Sequence, residues 1–167
     1  MRDATAEDVP AIAAIFAPYV TESVLTFETV PPTESQWRGK LHAARQAGHP
    51  FLAATLDGAV VGYAYVTPWK IKPAYALTVE NSIYLSPEHA GRGYGGALLA
   101  ELLTRTAATG ARQVIAVIAD SGDPASLGLH RAAGFTEAGR LSRVGFKHGR
   151  TLDTVLLQCS LETGESL

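Results

Sequence analysis

Residues 86–103, SPEHAGRGYGGALLAELL, place four glycines in the six positions 91–96, directly before leucines at helical spacing. Glycine lets the backbone approach a ligand closely, and the first turn of a helix offers unpaired N–H groups and a partial positive charge. We predict a strand over 78–85 leading into this loop and a helix from Gly95 to about Thr109 after it. The stretch therefore predicts a phosphate or pyrophosphate site.

The composition predicts one domain with a small or weakly acidic partner. The chain has 167 residues, 47% hydrophobic and 18% charged, with a formal net charge of −2 and a pI of about 6.2. Scattered basic residues give no footprint for nucleic acid. Cys159 is the only cysteine, so an intrachain disulfide is excluded, and we expect this residue to be buried packing. The lack of a leader or of a bilayer-length apolar run favours a cytoplasmic protein with no membrane contact.

The first part of the chain predicts two helices and a hairpin. Apolar residues recur at helical spacing over 5–18 and 34–47. Asp57-Gly58 marks a tight turn between two antiparallel strands. These elements precede the predicted strand at 78–85.

The second part predicts a mixed sheet. The apolar run 114–119 suits a central parallel strand covered on both faces. A short helix closed by Gly134 follows, and two strands are expected over roughly 135–144 and 151–160, with FKHGR between them. The whole chain, 1–167, is expected to form one domain of α+β (α/β) class, with a mixed central sheet flanked by helices.

The glycine loop allows a dinucleotide-binding interpretation, because Gly91, Gly93 and Gly96 match G-x-G-x-x-G and Asp120 ends the next strand. In that fold the first glycine follows the first strand almost directly and a second mononucleotide half comes later. Here five residues intervene after the strand, and fewer than fifty follow Asp120. The spacing argues against a dinucleotide site.

The stretch IYLSPEHAGRGYGGALL resembles the acyl-CoA site of the GNAT N-acetyltransferases, whose pattern is Gln/Arg-x-x-Gly-x-Gly/Ala. Gly93 and Gly95 fill the glycine positions, and Ala90 stands where Gln or Arg is usual. PWKIKPAYALTVENSIYLSPEH, SGDPASLGLHRAAGF and VGFKHGR are similar to the branch that acetylates phosphinothricin, methionine sulfoximine and methionine sulfone. The resemblance implies the GNAT fold and direct acetyl transfer from acetyl-CoA to a small amino-acid analogue.

The resemblance assigns residues to the acetyl-CoA site. The strand end is expected to pair with pantetheine amides, the loop to bind pyrophosphate, and the residue before the later helix to contact the cosubstrate. The predicted set is Ile83, Tyr84, Leu85, Gly91, Arg92, Gly93, Tyr94, Gly95, Gly96 and Asp123. Asp123 stands where Asn is usual, and together with Ser126 it is equally suited to capping that helix.

Acetyl transfer to an amine needs a proton acceptor, since an α-ammonium group with a pKa of about 8 is mostly protonated at neutral pH. Glu80 is predicted to share a strand face with Ser82 and Tyr84, where partial desolvation would raise its pKa. The resemblance places the catalytic glutamate here. It also places His130 where relatives use a tyrosine as general acid, and a core histidine bonded to a backbone carbonyl is the alternative. The N–H of Leu85 is the expected oxyanion donor.

The acceptor site needs cations, polar groups and an aromatic wall. The family's substrate segments correspond here to Thr26, Phe27, Lys70, Lys72, Pro73, Ala74, Tyr75, Lys147 and His148. Relatives are homodimers whose second subunit helps to close the pocket. We expect no metal, because Glu88 and His89 lack a ligand cluster. A GNAT enzyme for a protein N-terminus, polyamine or aminoglycoside, and a non-catalytic CoA-binding module, are the alternative functions.

Overall fold

A computed structural model describes residues 1–161 and contains a seven-stranded mixed sheet in the order β1-β2-β3-β4-β5-β7-β6. The strands are β1 (Arg2–Asp3), β2 (Phe51–Leu56), β3 (Ala59–Pro68), β4 (Thr78–Leu85), β5 (Gln113–Ala119), β6 (Thr136–Lys147) and β7 (Arg150–Ser160). The helices are α1 (Val9–Thr21), α2 (Glu34–Gln46), α3 (Tyr94–Ala108) and α4 (Ala125–Ala132). The predicted α+β class and mixed sheet are confirmed.

Two apolar layers hold the helices against the sheet. On one face, α3 and α4 cover a core that includes Leu98, Leu99 and Leu102. On the other face, α1 and α2 cover β2 to β4 through an aromatic cluster centred on Trp37 and Tyr63. Because α1 and α2 contact only β2 to β4 closely, the same face of β5, β7 and β6 lies beyond their cover.

The predicted end of the first helix at Pro18 is wrong. The chain makes a short 3-10 turn at Ala6–Asp8, and α1 then continues through Pro18 to Thr21. Proline in the last turn removes only one helical hydrogen bond, and the freed carbonyl is that of Ala14, an exposed residue that water can reach.

The final hairpin also differs from the prediction. FKHGR is not a connection, because Phe146 and Lys147 belong to β6 and the turn consists of His148 and Gly149 alone. Both turn residues have positive φ, 50° and 71°, as a two-residue turn of type I′ requires. Strand alternation then directs Lys147 inward, where it is only 5% exposed.

The β5 strand is parallel to β4, as predicted, but it is not covered on both faces. Val117 is 42% exposed on the face beyond α1 and α2. The pairing of β4 with β5 runs from Thr78↔Gln113 to Asn81↔Ala116 and stops there, although both strands continue. A gap therefore opens between the carboxyl ends of β4 and β5.

Candidate active site

The main chain of β4 presents donors and acceptors to this gap. Trp69 N–H donates to Thr78 O at 3.1 Å and Ser86 N–H donates to Val61 O at 2.9 Å, which fixes the bonded rungs of the β3–β4 ladder. Bonded and non-bonded rungs alternate in an antiparallel pair, so the backbone groups of Ile83 and Leu85 point away from β3, toward the gap. The strand end can accept an extended, amide-bearing ligand there.

The glycine loop places the start of α3 beside the same gap. Gly91 and Gly93 have φ of 73° and 85°, and Gly93 is the residue before the first helical turn. A Cβ at either position would meet no atom within 4 Å, so the outer side of the loop is open. An open, left-handed loop before a 15-residue helix fits a pyrophosphate group.

Two other glycines set how closely the surrounding elements pack. Gly95 is buried in the first turn of α3, where a Cβ would lie 3.4 Å from Leu85 and 3.5 Å from Leu129. Gly62 on β3 pairs with Leu85, and a Cβ there would overlap its side chain. Gly95 therefore packs the helix onto the strand end, while Arg92 in the loop and Gly96 in the first turn of α3 are also exposed.

Glu80 lies on β4 on the face opposite to the α3 core, as predicted from the spacing. Its neighbours across the ladders are Thr67 on β3 and Ile115 on β5. The side chain is half-buried, and this burial raises the pKa of Glu80, while the Lys70 cation partly opposes the rise. A carboxylate with a raised pKa is a better proton acceptor near neutral pH.

His130 lies on the other face of β4, at the point where β4 and β5 separate. Its Nδ1 is 2.8 Å from the carbonyl oxygen of Ser126, and its Nε2 is 3.0 Å from Nδ2 of Asn81. A carbonyl can only accept, so Nδ1 carries the proton and Nε2 accepts from the Asn81 amide. Burial lowers the pKa of His130, and the ring is 3% exposed. These contacts describe a neutral histidine that joins α4 to β4.

A cleft of about 540 Å³ brings together Asp123, predicted for the cosubstrate, and His148, predicted for the acceptor. The rest of its lining comes from the end of α1 and the segment after it, from Ser121 and from Arg150. Asp123 accepts a hydrogen bond from Ala125 N–H at 2.9 Å, so it also caps the start of α4. The cleft lies at the carboxyl end of β5, next to the gap.

The predicted acceptor residues fall into two groups. The first group lies in the exposed connection from β3 to β4 and consists of Lys70, Lys72, Pro73, Ala74 and Tyr75. Within it, the Lys70 ammonium lies 4.4 Å from the centroid of the Trp69 ring. The charge of Lys70 acts on Glu80 and lowers the pKa of its carboxyl.

The second group lies between α1 and β6. Thr26 and Phe27 belong to the connection from α1 to α2, and Phe27 packs directly on Gly145, where a Cβ would overlap its ring. Lys147 does not stand free for an acceptor carboxylate. Its ammonium is buried and donates to the carbonyls of Thr26 at 2.8 Å and Tyr19 at 3.2 Å.

Several residues at the site were not identified from the sequence. Tyr19 donates its hydroxyl hydrogen bond to Leu85 O at 2.7 Å, and its ring packs on Tyr84 at 5.1 Å. Tyr84, predicted for the cosubstrate, directs its side chain into the aromatic cluster, and its main-chain groups point toward Tyr63 on β3 and not toward the gap. Asn81 was also missed, although its place in the quoted strand, next to Glu80, was a usable signal because alternation directs it to the opposite face.

Neither a metal centre nor a membrane span was found in the described part of the chain. Residues 1–161 contain no group of three or more His, Cys, Asp and Glu side chains arranged to bind a metal ion. Among the same residues, no helix has the length and apolarity needed to cross a bilayer. Cys159 is buried, as predicted, and burial raises the pKa of its thiol.

Comparison with known proteins agrees with this geometry. The sequence profile of the Acetyltransferase (GNAT) family matches residues 12–135. The chain is 45% identical over 160 residues to a phosphinothricin N-acetyltransferase of Alcaligenes faecalis, covering 96% of this chain and 81% of that protein. It is 35% identical over 167 residues to an L-methionine sulfoximine/L-methionine sulfone acetyltransferase of Pseudomonas paraeruginosa, covering 99% and 96% of the two chains.

A solved structure with the same fold contains acetyl-CoA. The GNAT-superfamily phosphinothricin acetyltransferase of Sinorhizobium meliloti, in complex with acetyl-CoA, superposes with a TM-score of 0.91. The identity is 44%, and the match covers 95% of this chain and 86% of that chain. With the family profile matching most of the sequence, the fold in agreement and a strand gap beside a glycine loop, this chain belongs to the GNAT family of N-acetyltransferases.

Proposed function

We propose that this N-acetyltransferase moves the acetyl group of acetyl-CoA to the α-amino group of a small amino-acid analogue such as phosphinothricin, methionine sulfoximine or methionine sulfone. The observation that carries the proposal is β4 itself, which bears the raised-pKa carboxyl of Glu80 and the main-chain groups of Ile83 and Leu85 along the open gap. The names of the similar enzymes supply the class of acceptor.

Residues of this chain fit acetyl-CoA in two places. The gap-facing N–H and C=O groups of Ile83 and Leu85 can pair with the amides of the pantetheine arm as an added strand would. The open loop containing Gly91 and Gly93 and the first turn of α3 can hold the pyrophosphate. Bound acetyl-CoA supplies a thioester carbonyl carbon for attack by the amine.

Glu80 is proposed as the general base. It takes a proton from the acceptor ammonium, either directly or through one water molecule, and the free amine attacks the acetyl carbonyl carbon. A C–N bond forms, the C–S bond breaks, the thiolate leaves with its electron pair, and the second proton of the attacking nitrogen passes to solvent. The thiolate takes up a proton from solvent near neutral pH, since an ordinary thiol has a pKa of about 8.5.

Ile83 is better placed than Leu85 to donate to the oxyanion. At roughly 3.3 Å per residue, Leu85 lies about 17 Å along the strand from Glu80, whereas Ile83 lies about 10 Å away. The shorter span accommodates an amine between the carboxylate and the carbonyl. As a general acid, His130 would need a proton on Nε2, but Nε2 accepts a hydrogen bond from the Asn81 amide. The general-acid role of His130 therefore stays a prediction.

The acceptor is proposed to bind on the sheet face that α1 and α2 leave open. Phe27 and Val117 provide exposed apolar surface there, at 40% and 42% exposure. Lys70, Lys72 and His148 provide cations or donors for the carboxylate and the second polar head. A small zwitterionic substrate fits this combination better than a polyamine, which would need an acidic groove.

We also propose that the chain forms a homodimer through the outer strand β6. Leu141, Val144 and Phe146 are 48%, 56% and 73% exposed on this edge strand. A long apolar edge strand makes a monomer prone to aggregation, and a second copy of the chain would cover it. Light scattering coupled to gel filtration should give twice the chain mass, and Phe146→Glu should shift the protein to the monomer.

A thiol-release assay with a panel of amines tests the function. Phosphinothricin, methionine sulfoximine and methionine sulfone are compared with arylamines, polyamines and peptides at equal concentration. The proposal expects acetyl-CoA consumption to depend on the amino-acid analogues, with the acetylated product identified by mass. Transfer to peptides or polyamines alone would replace the proposed acceptor class, and acetyl-CoA binding without transfer to any amine would indicate a non-catalytic module.

A further inference from the structure

Lys147 is a buried cation without an acidic partner in contact. It is 5% exposed, and among residues 1–161 no carboxylate forms a salt bridge with its ammonium. Burial lowers the pKa of Lys147, and the more distant Glu28 partly opposes this effect. Burying a lysine is costly unless its donors are used, and two main-chain carbonyls accept hydrogen bonds from this ammonium.

One of the two carbonyls belongs to the last turns of α1, and the other belongs to the loop between α1 and α2. The ammonium donates to Thr26 O at 2.8 Å and to Tyr19 O at 3.2 Å. The Tyr19 carbonyl also accepts from the Ser23 hydroxyl at 2.8 Å, whose oxygen in turn accepts from Leu25 N–H at 3.2 Å. One side chain from β6 therefore ties Thr26, in the loop, to the end of α1.

A second contact lies two residues away on the same face of β6. Gly145 lacks the Cβ that would overlap the Phe27 ring, so the ring can lie directly on the strand. Positions 145 and 147, which lie on the same face of β6, thus contact the adjacent loop residues Phe27 and Thr26. The arrangement fixes the loop by a cation on one side and by close packing on the other.

The opposite side of the loop meets the candidate active strand. Burial raises the pKa of Tyr84 on β4, and Thr26 in the loop partly opposes this rise. At the end of α1, before the loop, Tyr19 donates to Leu85 O at 2.7 Å. The loop therefore spans from β6, at the sheet edge, to the end of β4. Where β6 holds it determines where Thr26 and Phe27 lie over the open face of the sheet.

We propose that Lys147 is a positioning residue for the acceptor site: it holds the Thr26–Phe27 segment over the sheet and does not itself bind the acceptor. The inference rests on the proposed function, which identifies the acceptor, but the positioning of the loop can be observed without any substrate. It differs from the expectation that a lysine here pairs with a substrate carboxylate, since the ammonium is already bonded to two main-chain carbonyls.

The main test compares the wild type with Lys147→Met, which keeps an unbranched stem and removes the three donors. Hydrogen exchange of the ligand-free full chain should show faster exchange of the amides in residues 23–28. Hydrogen bonds from charged groups predict an effect of about tenfold to hundredfold. The KM for the acceptor should rise over a similar range, while the KM for acetyl-CoA changes less than about twofold.

Arg38→Met is the matched control, because Arg38 also ties a segment through a main-chain carbonyl, Ala6 O at 3.0 Å, but neither of these two residues belongs to the loop between α1 and α2. It should leave exchange in residues 23–28 and both KM values unchanged. Gly145→Ala is the second variant, in case Lys147→Met fails to fold. It displaces the Phe27 ring while keeping the ammonium, and it should raise the acceptor KM in the same direction.

The outcomes separate the two ideas. A higher acceptor KM in Lys147→Met with wild-type exchange in residues 23–28 would overturn the proposal, because Lys147 would then act on the acceptor directly. Unchanged exchange and unchanged KM would overturn it as well. If the wild type acetylates none of the amino-acid analogues while Lys147→Met still exchanges faster, the proposed function fails and the positioning of the loop stands.

Discussion

A methyl group at Gly62 should slow acetyl transfer while the chain still folds. A Cβ at this position of β3 would overlap Cδ2 of Leu85 and lie 3.0 Å from the carbonyl oxygen of Tyr84. The leucine side chain can rotate away, but the carbonyl belongs to the backbone of β4. The strand end that borders the gap must therefore move by a few tenths of an ångström.

The size of the effect follows from that movement. Overpacking a well-packed site costs about 1–3 kcal/mol of stability. A misplacement of about 1 Å can reduce a rate by about a hundredfold, so a few tenths of an ångström predict roughly a fourfold to tenfold loss in kcat/KM. Gly62→Ala is measured by thermal unfolding and by the thiol-release assay with both substrates varied.

Gly39→Ala is the control for this variant. Gly39 lies inside α2, and a Cβ there meets no atom within 4 Å. Alanine should stabilise the helix by about 0.5–1 kcal/mol and leave the kinetics unchanged. A Gly62→Ala enzyme that is destabilised as expected but keeps wild-type kcat/KM would refute the idea that the end of β4 orders the reacting groups.

Three further predictions concern the acetyl-CoA site and the pKa of Glu80. Gly93→Val should raise the KM for acetyl-CoA strongly. Its control is Gly110→Val at the other end of α3, where φ is 86° against 85° at Gly93, and this variant should lose stability alone. Equal KM values for the two variants would contradict the pyrophosphate assignment. Asp123→Asn keeps the oxygen that accepts from Ala125 N–H and removes a negative charge, so the affinity for acetyl-CoA by calorimetry should be equal or tighter, and weaker binding would show that the carboxylate itself is needed. Lys70→Met removes the cation that lowers the pKa of Glu80, so the acidic limb of the pH profile should move to higher pH, and an unmoved limb would contradict the electrostatic link.

The sequence predicted the elements whose signals are local. The strand Thr78–Leu85 and the helix that begins at Glu34 are confirmed at those residues, because alternation, a capping threonine and glycine punctuation all act within a few positions. The helix end at Pro18 was wrong because a proline in the last turn costs little when the freed carbonyl reaches water.

Long-range placement could not be predicted in the same way. Lys147 was assigned to the acceptor because it lies in one of the family's substrate segments, and its burial depends on Tyr19 and Thr26, more than a hundred residues away. The contact of Asn81 with His130 likewise depends on α4 packing against β4, which no local pattern encodes. The position of Glu80 on β4 could be predicted from one strand, whereas contacts between two distant segments could not.

Thermal unfolding of Glu80→Gln is measured first, to show that the variant is folded. Because burial raises the pKa of Glu80, its ionised form destabilises the native state, and native stability falls as pH rises from the ordinary pKa to the raised one. Glutamine removes that cost. The Tm of Glu80→Gln at pH 8 should therefore equal or exceed that of the wild type, with unchanged binding of acetyl-CoA.

The pH dependence of kcat/KM for Glu80→Gln tests the central claim most directly. Loss of a general base typically costs about 10²- to 10⁴-fold, and we expect that loss at pH 7. Activity should recover partly at alkaline pH, where the amine is already free, while the wild type should rise with pH as the base and the substrate lose protons. Wild-type kcat/KM for Glu80→Gln at pH 7 would contradict the account, because the proton acceptor would then lie elsewhere.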